Sequence, residues 1–145
     1  MHNNSTLMRS VVPIAQKPPW INKKINLRQC AELKQLLKDF QLDTVCQQAL
    51  CPNIAECFAK HCATFLILGN ICTRQCSFCA IEKGVPQPPD MDEPSRIGRA
   101  AARLGLRHVV VTSVTRDDLV DKGAGAFVAT IRAIQKEKKD VAIEV

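Results

Sequence analysis

Three short apolar runs constrain the fold of this 145-residue chain more than anything else in it: ATFLILG (63–69), HVVVTS (108–113) and VAIEV (141–145). They are rich in β-branched residues and do not alternate apolar with polar, the pattern of strands covered on both faces in a parallel sheet. Helical patterns lie between them. Ile97, Ala101 and Leu104 share one face of a helix predicted over 93–104, ended by Gly105. Phe127, Ile131 and Ile134 do the same over 124–138, with Lys136, Lys138 and Lys139 at the end where the helix dipole favours cations. Parallel strands joined by crossover helices form β/α units, so the fold class is α/β. Upstream, Leu33, Leu36, Leu37 and Phe40 mark a helix over 26–40 with Asn26 as its N-cap. Residues 43–61 read as a loop with a short helix after Pro52. The last run ends the chain, and a full (β/α)8 barrel takes about 250 residues. The expectation is a partial TIM-like barrel, truncated after about three strands and belonging to a longer fold.

Composition removes several function classes. No apolar run approaches the roughly 20 residues of a membrane helix, so no membrane partner is expected. The net charge is +6, yet aromatics are 4% and Tyr is absent. Base-stacking platforms need aromatics, so no nucleic-acid partner is expected either; the charge suits docking on an acidic protein. The first residues carry no secretory apolar core. Arg9, Lys17, Lys23, Lys24 and Arg28 precede the first acidic residue, Glu32, which leaves organellar targeting open, although Pro13, Pro18 and Pro19 oppose an amphipathic helix. The expected location is cytoplasmic. In such a reducing compartment, eight cysteines are metal ligands before they are disulfides.

Their spacing is informative. Cys72, Cys76 and Cys79 form C-x3-C-x2-C directly after the first strand, where β/α folds carry their functional loops. Soft thiolate sets favour iron–sulfur or zinc. Three thiolates hold three corners of a cubane and leave the fourth iron open, whereas zinc ribbons pair two C-x2-C knuckles. Cys46, Cys51 and Cys57 form a second set, C-x4-C-x5-C; Cys62 extends it to a series that a structural zinc could use, but the expectation is that Cys62 packs at the strand entrance and is not a ligand. TSVTRDDL (112–119) begins where the second strand ends and reads as a ligand-binding loop through Thr112, Ser113 and Arg116; the competing reading has Asp117 or Asp118 capping the next helix and pairing Arg116. Arg74 either balances a cluster's charge or faces solvent. Cys30 packs as a small hydrophobe. His61 and His108 have no partner at ligand spacing and are structural or surface residues, and PQPPD (86–90) is a rigid connector.

The C-x3-C-x2-C run, with Phe78 just before its last cysteine, resembles the radical S-adenosylmethionine (SAM) superfamily. CQQALCPNIAEC, ATFLILGNICTRQCSFC and VVVTSVTRDDL together resemble the lipoyl synthase family within it, from about Leu36 to the last residue, and the KPPW arm is similar too. The resemblance implies two [4Fe–4S] clusters and SAM as cofactors. By position, Cys72, Cys76 and Cys79 match the radical-forming cluster, whose open iron takes SAM. Cys46, Cys51 and Cys57 match an auxiliary cluster that gives up its sulfur. Phe78, Thr112, Ser113 and Arg116 fall where SAM is bound. The implied reaction inserts two sulfurs at carbons 6 and 8 of an octanoyl-lysine on a carrier protein, a lipoyl domain or glycine-cleavage H protein. Flavodoxin or ferredoxin supplies electrons. The implied layout is an extension over 1–62 carrying the auxiliary set and the first part of a barrel over 63–145.

Three departures stand out. The family's fourth auxiliary ligand, a serine in an Arg-Ser-Ser motif, has no counterpart here, which leaves activity of this chain alone in doubt. Gly-Thr is replaced by His61-Cys62, and Asp-Gly-Gly by Asp121-Lys122-Gly123. Two other readings of the cysteines are a different dual-cluster radical SAM enzyme and a noncatalytic zinc- or iron–sulfur-binding module.

Overall fold

The computed structural model describes Pro18, residues 27–48, Cys51 and residues 53–145. The expected N-cap Asn26, the rest of the KPPW arm, Pro52 and the side chains of Cys30 and Leu33 lie outside the described residues. The elements run α1 (Leu27–Asp39), β1 (Asp43–Thr44), α2 (Val45–Gln48), α3 (Ile54–Ala59), β2 (Cys62–Ile67), β3 (Ile71–Cys72), β4 (Glu82–Lys83), α4 (Glu93–Arg103), β5 (His108–Ser113), α5 (Ala124–Glu137) and β6 (Ala142–Glu144). The three predicted strands and both crossover helices are present. β5 has the predicted bounds. β2 ends two residues before Gly69, because Leu68 already turns into the left-handed region at φ +66°.

The main sheet has the order β1-β2-β5-β6. β2, β5 and β6 are parallel, and β1 is antiparallel to β2 through Asp43↔Leu66 and Thr44↔Phe65. The sheet is open. Among the described residues, no helix is long and apolar enough to cross a membrane.

Coverage of the strands departs from the sequence expectation. Ala63, Phe65 and Ile67 of β2 and Val109 and Val111 of β5 are buried and belong to one core with Ile97, Ala100, Ala101 and Ile134 of the helices. On the opposite face Thr64, Val110 and Thr112 are only half-buried, although Leu66 is covered. A β-branched run is therefore compatible with a strand that has one fully packed face and one half-open face.

α4 and α5 touch closely because Gly98 has no side chain; a Cβ there would sit 2.6 Å from the Ala133 carbonyl oxygen. α4 ends in a Schellman motif, with Gly105 N–H donating to Ala102 and Leu106 N–H to Ala101. α1 ends the same way at Gln41 and Leu42, which brings Leu42 onto Leu37. In α5 the fully buried positions are Thr130 and Ile134, while Phe127 and Ile131 are half-buried.

The turn from α3 into β2 passes through His61 at φ +57°. Its carbonyl accepts from the N–H groups of Arg107 and His108 at 2.9 and 3.3 Å, so the bend is tied to the start of β5. A left-handed backbone costs a non-glycine residue about 1–2 kcal/mol, a cost glycine would avoid. His61→Gly should raise unfolding stability by up to about 1 kcal/mol in urea titration, the relief of strain exceeding the extra unfolded-state entropy. A destabilised variant would show that the histidine side chain outweighs its backbone strain.

Candidate functional site

The site forms where β2 and β5 end. Past Leu68 and Gly69, β3 pairs in parallel with β4 through Ile71↔Glu82 and Cys72↔Lys83. This small ladder, with the Gly84 N–H donating to the Cys72 carbonyl at 3.0 Å, closes the base of a loop over 73–81. Cys72 stands at the base, Cys76 is exposed on the loop, and Cys79 is half-buried. The Cys79 N–H turns back to the Cys76 carbonyl at 3.3 Å, and Lys83 Nζ donates to the Cys79 carbonyl at 2.8 Å.

The loop after β5 is stitched to the cysteine loop. The Thr73 N–H donates to the Thr115 carbonyl at 3.2 Å, and the Thr73 hydroxyl lies 3.0 Å from the same oxygen. The Asp117 N–H donates back to that hydroxyl at 3.3 Å. Arg74 makes a two-point ion pair with Asp117, Nε to Oδ2 at 2.9 Å and Nη2 to Oδ1 at 3.0 Å. Arg74 therefore neither faces solvent alone nor stands free; it joins the two loops. Its guanidinium, followed by its attraction, holds the Asp117 carboxyl below the usual carboxylate range.

Cys72 is the best-prepared thiol. The N–H groups of Thr115 and Arg74 point at its sulfur from 3.4 and 3.5 Å. Burial pushes its pKa up, but these donors and the Arg74 charge outweigh burial and hold the thiol below its ordinary value. Cys46, Cys51 and Cys57 lie close enough to act on one another. Burial pushes Cys46 up most, with the negative charges of Cys51 and Cys57 adding to it, against an N–H donated by Thr64. The Cys51 N–H donates to the Cys46 carbonyl at 3.0 Å, which folds the run between them.

Cys46, Cys51, Cys57, Cys62, Cys72, Cys76 and Cys79 are all free thiols. Among the described residues, no three Cys, His, Asp or Glu side chains are drawn together as a ready metal cage. The donor chemistry nevertheless fits an iron–sulfur group. Each set offers soft sulfur, and backbone donors aimed at Cys72 are what a bound thiolate accepts.

Other expected residues separate. Phe78 is 91% exposed at the loop tip. Thr112 and Ser113 are half-buried at the end of β5, in register with Leu66 and Ile67, so they point to opposite faces. Arg116, expected to meet an anionic ligand, is 2% exposed. It pairs with Asp118 at 2.8 Å and donates to the Leu68 carbonyl at 3.3 Å. Neither Asp117 nor Asp118 caps α5, whose N-cap is Gly123; Asp121, two residues earlier, accepts from the N–H groups of Gly123 at 3.0 Å and Gly125 at 2.7 Å. His108, read as partnerless, has two neighbours: Cys62 Sγ at 3.8 Å from Nδ1 and Glu144 at 3.3 Å from Nε2. They sit on opposite edges of the ring, so the three do not share one ion. Only the parallel register brings them together, and no spacing in the sequence announces it.

With this geometry in place, comparison with known proteins is decisive. The radical SAM superfamily model matches residues 66–145, more than half of the chain. The chain belongs to the radical SAM superfamily. Membership in the radical SAM group implies SAM and iron–sulfur chemistry, in agreement with the thiol loop at the strand ends. The chain is also 57% identical over 121 residues to a lipoyl synthase of Caldanaerobacter subterraneus subsp. tengcongensis, covering 83% of this chain and 43% of that protein. It is 54% identical over 132 residues to one of Trichlorobacter lovleyi (90% and 47%) and 55% over 131 residues to one of Geotalea uraniireducens (90% and 46%). The chain spans less than half the length of these relatives.

In metal-free chain, alkylation of Cys72 should set in at lower pH than alkylation of Cys46, since one pKa is lowered and the other raised. Arg74→Gln should move the Cys72 midpoint upward by removing the nearby cation. Peptide-resolved iodoacetamide labelling against pH reads both, and identical profiles for the two thiols would refute the assignment.

Proposed function

We propose that this protein acts as a lipoyl synthase, inserting two sulfur atoms at carbons 6 and 8 of an octanoyl-lysine carried by a lipoyl domain or H protein. The observation that carries the reading is identity of 54–55% over 131–132 residues. A match of that length within 145 residues takes in both cysteine sets and the loop after β5. On this reading Cys72, Cys76 and Cys79 hold a [4Fe–4S] cluster with one iron left for SAM, and Cys46, Cys51 and Cys57 hold a second. The proposed division is an auxiliary-cluster extension over 1–62 and a radical SAM part over 63–145.

Bound there, the clusters and SAM supply radical chemistry for unactivated C–H bonds and sulfide for their replacement, which no acid–base group of the chain can do. The chain's own residues position and tune. Two N–H donors aimed at the Cys72 sulfur favour its thiolate form. Arg74 and Asp117 fix the cysteine loop to the loop after β5. Thr112 or Ser113, at that strand end, and Phe78, at the loop tip, are the proposed SAM contacts. Arg116 is reassigned from contact to support, because its donors are spent within the protein. A low-potential donor such as flavodoxin or ferredoxin and a reducing, cytoplasmic setting suit the free thiols among the described residues.

Anaerobic reconstitution with iron and sulfide tests the reading. The chain should turn brown, and the triple variant of Cys72, Cys76 and Cys79 to Ala should lose about half of the iron, as should the triple variant of Cys46, Cys51 and Cys57. Supplied with SAM, reductant and an octanoyl-lysine peptide, an enzyme containing these residues should yield lipoyl product. A colourless protein holding zinc alone would sink the proposal.

A further inference from the structure

Leu68 is the first residue after β2 on the way to β3 and the cysteine loop, and it is held from three sides. Its N–H donates to Glu93 Oε2, at the start of α4, at 2.9 Å. Its carbonyl accepts from Arg116 Nη1 at 3.3 Å. Its side chain lies over Gly123, where a Cβ would fall 2.4 Å from Leu68 Cδ1. Between these grips the backbone adopts φ +66°, followed by Gly69 at φ +90°. Leucine has no intrinsic reason to be left-handed, and a strained conformation persists only where the surroundings over-determine it. Both charged residues are committed to this task. Arg116 is 2% exposed, with its other donors on Asp118, and the Glu93 carboxyl reaches from a different element. The direction in which the chain leaves β2 therefore depends on groups from α4, from the loop after β5 and from the start of α5.

We propose that Glu93 and Arg116 are positioning residues for the cysteine loop: they clamp Leu68 in its left-handed conformation and so set where Cys72 is presented to the loop after β5. That Cys72 then serves a cluster rests on the function proposed above; the clamp itself does not. A residue with only a general stabilising role would loosen the whole fold when removed. A clamp loosens what it holds.

Hydrogen exchange on the isolated chain separates the two. Glu93→Ala and Arg116→Met should each raise exchange of the amides of 69–80 at least tenfold, with β6 and the C-terminal half of α5 unchanged. Glu93→Gln keeps an acceptor for the Leu68 N–H and should retain the protection of the parent chain. Gly123→Ala reaches the same residue from its side chain and should loosen the same segment, which keeps the test open if Arg116→Met does not fold. After anaerobic reconstitution, Glu93→Ala should alter the electron paramagnetic resonance of the reduced cluster, and Glu93→Gln should not. Uniform acceleration across the chain, or a loop unchanged in the alanine and methionine variants, overturns the clamp. If the parent chain binds no iron, the functional reading fails while the exchange data still decide the clamp.

Discussion

The reversal at Leu68 is the constraint on which the arrangement turns. β2 is a buried strand with no freedom to bend within the sheet, so all of the change in direction falls on Leu68 and Gly69. Glu93 and Arg116 satisfy the two backbone groups that leave the ladder there, and leaving them unsatisfied would be costly. Burial pushes the Glu93 carboxyl up, despite the N–H groups of Leu68 and Gly69 and the charge of Arg96. A carboxylate in that position is a poor choice for stability and a reasonable one for fixing direction, since its Oε2 accepts from the Leu68 N–H at 2.9 Å.

The cysteine loop itself contains little regular structure. Its order is borrowed from a second loop, through Thr73, Arg74, Thr115 and Asp117, and from Lys83 below it. Exposed ion pairs contribute little to stability on their own. The Arg74–Asp117 pair matters in a different way: two-point geometry fixes the relative orientation of two loops that arise on neighbouring strands. Register carries the precision upward, because β2 and β5 are parallel partners from Cys62↔His108 to Ile67↔Ser113.

Much of this was legible in the sequence. β5 and the two crossover helices were readable because long periodic or apolar runs were bounded by clear signals, such as Gly105. The two-residue strands β1, β3 and β4 were not, since two residues carry no periodicity; they exist only because a partner is nearby. The C-x3-C-x2-C run pointed through residue type and spacing to the superfamily whose model matches residues 66–145. Arg116 was legible as a charged residue at a strand end but not as a buried one. Its partner Leu68 is far away in sequence, and only the fold makes them neighbours. The same holds for Cys62, His108 and Glu144, which meet through strand register. The half-open face of the sheet was also missed, because a β-branched run specifies a strand without saying how many of its faces are packed.

The edge of β2 carries a last consequence. β1 covers that edge only at Phe65 and Leu66. Beyond Thr44 the chain leaves the ladder at once and enters α2, whose second residue is Cys46. The edge strand and the upstream cysteine set are thus adjacent in one stretch of chain, so whatever orders Cys46 also bears on whether the edge of the sheet stays closed to further strands.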